Sequence, residues 1–131
     1  MGVFTNIEVA LHTRLATLSG SPAVAWPNTH YQPTENTTYL RPTILPASTV
    51  LNTLAGMEEH KGIYQVDVYV PLEKGVSALN TLLDSIQSLF KSSKTLTATD
   101  VVFVQSVGRS SAVRDESWFV GFVEINYICY S

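Results

Sequence analysis

Residues 62–71 read GIYQVDVYVP. Tyr64, Val66, Val68 and Val70 fall on one side of an extended chain, and Ile63, Gln65, Asp67 and Tyr69 on the other, because successive side chains in a strand point to opposite faces. Pro71 closes the run. The stretch is a strand with one apolar face and one mixed face, which places it inside a sheet covered on one side. The carboxylate of Asp67 raises the question of whether this strand carries chemistry or only structure.

Working outward, residues 75–90 predict an amphipathic helix. Val76, Leu79, Leu82, Leu83, Ile86, Leu89 and Phe90 form a wide apolar stripe, and Lys91 and Lys94 follow where the helix dipole is negative. Upstream, residues 37–45 (TTYLRPTIL) alternate as a strand. Pro42 lacks the N–H a ladder requires, so this strand is an edge or is bulged there. Residues 46–61 read as a loop with a charged tip, Glu58-Glu59-His60-Lys61. At the N-terminus Phe4, Ile7, Leu11, Leu15 and Leu18 recur at helical steps, and SGSP at 19–22 stops that helix. AVAW at 23–26 reads as a short strand, followed by a Pro- and Asn-rich loop that carries Trp26 and His30. Downstream, 99–107 and 117–130 read as strands joined by a hairpin loop, GRSSAVRDE, at 108–116. The expected fold class is α+β, a mostly antiparallel sheet with two main helices packed on one face, formed by residues 1–131 as one domain.

Composition bounds the function. The chain has 131 residues, 45% of them hydrophobic and 15% charged. Charge is well below the roughly 25% of an average globular domain, which suggests that other subunits cover part of the surface. A net charge of −3 and only eight scattered Lys and Arg give no footprint for nucleic acid. One cysteine, Cys129, excludes an internal disulfide. No apolar run approaches the roughly 20 residues of a membrane helix, and the first residues lack the basic and apolar regions of a signal peptide.

Catalytic chemistry finds no constellation. His12, His30 and His60 lie far apart and form no metal-ligand pair, so no metal or cofactor is expected. The serines make no nucleophile elbow and the glycines no phosphate loop. Cys129, on an apolar strand face, reads as a small buried hydrophobe. Asp67 on the polar side of a strand reads as solvated or paired. His60 beside Lys61 reads as exposed, His12 as solvated on the polar side of its helix, and His30 as packed in its loop. Trp26 and Trp118 read as core or interface anchors. Arg109 and Arg114, flanked by Asp115 and Glu116, make a poor phosphate site and suit a solvated or protein-binding hairpin.

The run WPNTHYQPTENTTYLRPTILPA, the strand GIYQVDVYVP and the helix GVSALNTLLDSIQSLF together resemble the tail terminator family of lambda-like siphophages. The likeness spans most of the chain and is most specific in the strand. It implies a structural virion protein that forms a ring, of six copies in this family, on the finished tail tube. Such a ring ends tube polymerisation and offers a surface to the head–tail connector, and DNA passes its lumen without specific binding. The implied partners are further copies of the chain, the tail tube protein and the connector protein. The implied location is the head-proximal end of the tail, assembled in the host cytoplasm. A ring requires a heterologous interface, one face of a subunit meeting a different face of the next. The interface candidates are Trp26, the tip Glu58, Glu59, His60 and Lys61, and Arg109, Arg114 and Asp115. Two other readings stay open: a tube or connector component of related architecture, and a small enzyme or ligand-binding domain, which requires a pocket where Trp26, His30 and Asp67 converge.

Overall fold

The alternation of 62–71 sets the frame of the whole sheet. A computed structural model of the chain describes residues 3–18, 23–26, 37–52, 57–72, 75–91, 95–97, 101–110, 113–115 and 118–130. Helix α1 (Val3–Ala16) leads to β1 (Ala23–Val24), β2 (Tyr39–Asn52) and β3 (Met57–Pro71). Helix α2 (Gly75–Lys91) follows, then β4 (Thr95–Thr97), β5 (Val101–Arg109), β6 (Val113–Asp115) and β7 (Trp118–Tyr130). The sheet runs in the order β1-β2-β3-β7-β5-β4, with β6 also pairing β7. Among the described residues only the β1–β2 pair is parallel.

Tyr64, Val66, Val68 and Val70 are buried, as the alternation requires, and the partners Ile125 and Val123 across β7 join them. Both helices pack on this face. Ile7, Leu11 and Leu15 of α1 and Leu79, Leu83, Ile86 and Phe90 of α2 enter the same core cluster. Gly121 of β7 allows the approach, since a Cβ there would stand 3.0 Å from Leu83 Cδ1. The α1 side chain of Arg14 reaches the end of α2, donating from Nη2 (2.9 Å) and Nε (3.1 Å) to the Leu89 carbonyl. Leu89 lies in the last turn of α2, so the contact ties α1 to that end and adds a cation where the dipole favours one. Phe4, expected on the apolar stripe, is 47% exposed and leans edge-on against His60.

The segment 46–61 is no loop. β2 and β3 run five to seven residues further than their alternation suggests, and only residues 53–56 between them lie outside the described residues. β7 sustains the extension by pairing with β3 as far as Glu59↔Tyr130. A register shift between Pro46 and Thr49 absorbs the extra residue of Pro46-Ala47-Ser48. The 108–116 loop is likewise corrected. β6 resumes the pairing with β7, so the reversal falls between Asp115 and Trp118. From Arg109↔Val123 to Val113↔Val120 this strand spends four residues against three. Ser110 covers the mismatch, its N–H donating to the Phe122 carbonyl and its Oγ accepting from the Phe122 N–H, each at 2.9 Å. Strand β1 was expected, whereas β4 falls at 95–97, where no strand was expected.

Candidate functional site

With both helices on one side, no described element packs on the other side of the sheet, and Asp67 stands on this open face. Its cross-strand partners are Arg41 on β2 and Phe122 on β7. Gln65, two residues along the same face, donates from Nε2 to Asp67 Oδ1 at 2.9 Å. Half-burial pushes the Asp67 carboxyl above the ordinary carboxylate range, opposed by the Gln65 hydrogen bond and the Arg41 charge. The native state therefore holds this proton more tightly than the unfolded chain. Its contribution to stability is full at low pH and is lost as pH rises through the raised pKa. Asp67→Asn is expected to melt at or above the parent temperature at pH 7, with the gain disappearing at acidic pH; thermal melts across pH 3–7 check this.

Next to Asp67 on this face lies a cluster of aromatic side chains, of which Tyr39 is itself buried. The Tyr39 and Tyr69 rings stack with centroids 4.5 Å apart and planes within 2°. Trp118 meets them edge-on at 5.3 and 6.4 Å. The Arg41 guanidinium sits over both tyrosines, 6.0 and 5.6 Å from their centroids, although Asp67 is its direct cross-strand neighbour. Opposed tyrosines at Tyr39↔Tyr69, and Pro71↔Trp118 at the next position of that face, bring the rings together. This holds a cation on an aromatic platform at the sheet surface. Tyr69 was legible on the mixed face of its strand; its partner Tyr39 was not, because that contact is set by register.

On the helix side, His12 is half-buried rather than freely solvated. Its Nδ1 is hydrogen-bonded at 2.6 Å to the hydroxyl of the fully buried Tyr64. Its Nε2 lies 3.8 Å from Glu8, and Trp26 packs edge-on at 4.9 Å. Burial lowers the His12 pKa against the pull of Glu8. Glu8, His12, Thr13, Ala16 and Trp26 line an open cleft of ≈ 360 Å³. Trp26 belongs to this side and Asp67 to the opposite face, so the two do not converge; His30 lies outside the described residues.

The remaining candidates separate. In β3 the tip Glu58-Glu59-His60-Lys61 is extended, so alternate residues take opposite faces. Glu59 and Lys61 pair at 3.6 Å on the open face. His60, expected to be exposed, is only 3% exposed, because its phase turns it toward the helix side. Its Nε2 is 3.6 Å from the exposed Glu58. Arg109 is tied to α2 through an ion pair with Asp84 and a contact to Asn80 Oδ1 at 3.4 Å. Arg114 is exposed on β6, opposite Phe119, and Asp115 pairs with Trp118 in the backbone register. The candidates thus fall at the two ends of the sheet and on the helix layer. Among the described residues no group of three or more His, Cys, Asp or Glu could hold a metal ion, and no helix is long and apolar enough to cross a membrane.

The chain matches the sequence model of the family described as phage tail terminator protein, over residues 6–127. It is similar to a solved structure with a TM-score of 0.76 and 22% sequence identity, over 94% of this chain and 92% of that one. At that identity the likeness shows the fold. No curated protein matches. A helix-backed antiparallel sheet with an open aromatic face and a family match over nearly its whole length make this chain a member of the phage tail terminator family, structural proteins of the bacteriophage tail.

Proposed function

We propose that the chain closes with further copies into a ring, of six subunits, at the head-proximal end of the tail. The ring ends growth of the tube and presents the surface that the head–tail connector grips. Residues 1–131 act as one structural domain without cofactor, and the ring assembles in the host cytoplasm onto the tube protein. The observation that carries the reading is the one-sided sheet, whose open face holds Tyr39, Tyr69, Trp118 and Arg41 in a fixed cluster. Aromatic residues and arginine are the side chains that dominate protein interfaces. A net charge of −3 supplies no patch to hold passing DNA.

Negative-stain electron microscopy of the purified protein and of particles lacking it tests the reading. Discrete rings, together with overlong or headless tails in the deletion, support it. Long tubes formed by the protein alone point instead to a tube component, and normal tails in the deletion overturn it. Trp26, Arg109, Arg114 and Asp115 are proposed contacts with neighbours, together with the strand Glu58 to Lys61, where complementary charge sets register more than affinity. Glu58→Ala/Glu59→Ala is expected to leave folding within about 1 kcal/mol of the parent, since exposed ion pairs contribute little, while lowering tail joining. Unchanged joining removes this strand from the interface.

A further inference from the structure

Among the described residues the outer edge of β2 is the longest strand edge in the sheet. Among the described residues β1 covers it only at Tyr39 and Leu40. A bare edge offers N–H and C=O groups to any extended segment, including another copy of the chain. What this one offers depends on which residues aim their backbone outward.

Two contacts fix that phase. The Ala25 N–H donates to the Leu40 carbonyl at 2.7 Å, so Leu40 aims outward, toward the β1 side. The Leu45 carbonyl lies 2.8 Å from where a Cβ on Gly62 would stand, so Leu45 aims inward, toward β3. Backbone groups of a strand alternate sides residue by residue, so even-numbered residues from 40 to 46 face out and odd-numbered ones face β3. Both prolines of the strand, Pro42 and Pro46, are even-numbered. Their missing N–H groups therefore leave the β2–β3 ladder intact. Of the three outward positions after Leu40, only Ile44 keeps a donor. Beyond Pro46 the register shift breaks the line of the strand. An incoming strand meets carbonyls at 42, 44 and 46 and one N–H, so most of its own acceptors go unpaired, and a polar group buried without a partner is costly.

We propose that Pro42 and Pro46 form a paired guard that refuses strand addition along this edge, so that copies of the chain meet here through side chains and not by extending the sheet. The proposal does not depend on the ring reading. Pro42→Val/Pro46→Val restores both outward donors. It is expected to produce, on analytical ultracentrifugation over a concentration series, species of at least twice the parent mass, with increased thioflavin binding. Thr43→Val raises strand propensity at an inward position and is expected to match the parent. Equal masses for the double variant and the parent, or equal association by Thr43→Val, overturn the guard. Amide hydrogen exchange on the unaltered protein reads the same geometry without a substitution. Ile44 is expected to exchange at least tenfold faster than Thr43 and Leu45, and comparable protection of all three overturns the outward assignment.

Discussion

Gly62→Ala is expected to lower stability by about 3 kcal/mol, at the upper end of what an added methyl group costs in a filled site. Gly62 sits in β3 directly across from Tyr127 of β7, and the tyrosine ring lies over it. A Cβ at that position would stand 2.7 Å from Tyr127 Cζ and 2.8 Å from the Leu45 carbonyl oxygen. Neither neighbour can withdraw easily. Tyr127 is 1% exposed, and the carbonyl belongs to the adjacent strand. A loss of about 3 kcal/mol is a large part of the roughly 5–15 kcal/mol that holds a domain together, and it corresponds to a melting shift on the order of 10 °C for a chain of this size. In a Tyr127→Phe background the penalty is expected to shrink without vanishing, because removing the hydroxyl leaves both of those close approaches. Thermal and urea melts of the four proteins of this cycle measure the coupling. A Gly62→Ala protein that melts within about 1 °C of the parent would show that the ring and strand do not pack this way.

The second large effect is expected at Phe90. Truncation to alanine removes a fully buried ring from the last turns of α2, where it meets the Tyr64 ring at 6.0 Å between centroids. The loss is about 3–5 kcal/mol, the transfer term plus the cavity left behind. Collapse to fill that cavity is opposed on two sides. Arg14 fixes the neighbouring Leu89 carbonyl to α1, and His12 fixes the Tyr64 hydroxyl. Phe90→Leu retains most of the volume and is expected to lose less than half as much. Chemical denaturation checks both, and a Phe90→Ala midpoint close to the parent would mean that α2 is not seated on the sheet through this residue. Since the same helix holds Arg109 through Asp84, the alanine variant is also expected to loosen the β5 end of the sheet, which hydrogen exchange would report.

Much of this was written in local spacing. The stripe of α2 named Leu79, Leu83, Ile86 and Phe90, and all four are fully buried. The alternation of 62–71 named both faces of β3. Pro42 marked an edge strand, and the phase of its backbone explains how the strand tolerates it. Other features depended on partners that no local pattern reveals. Charge and proline made 46–61 look like a loop, yet β7 is long enough to hold β3 to Glu59, and a register shift accommodates the rest. The tip Glu58-Glu59-His60-Lys61 looked like one charged cluster; extended backbone divides it between two faces and buries His60 against Phe4. His12 reads as polar on its helix, and its partner Tyr64 is 52 residues away. The open-face cluster has the same origin, since Tyr39, Tyr69 and Trp118 come from three strands and meet only through register.

The sequence by itself determined the fold class, the apolar faces of α2 and β3 and the family, because side-chain periodicity and motif residues are properties of contiguous chain. Tertiary structure decided how far the strands run, which histidines are buried, and which aromatics gather beside Arg41 and Asp67. Those outcomes depend on cross-strand register and helix docking, and a one-residue slip in either would turn the same side chains toward different neighbours.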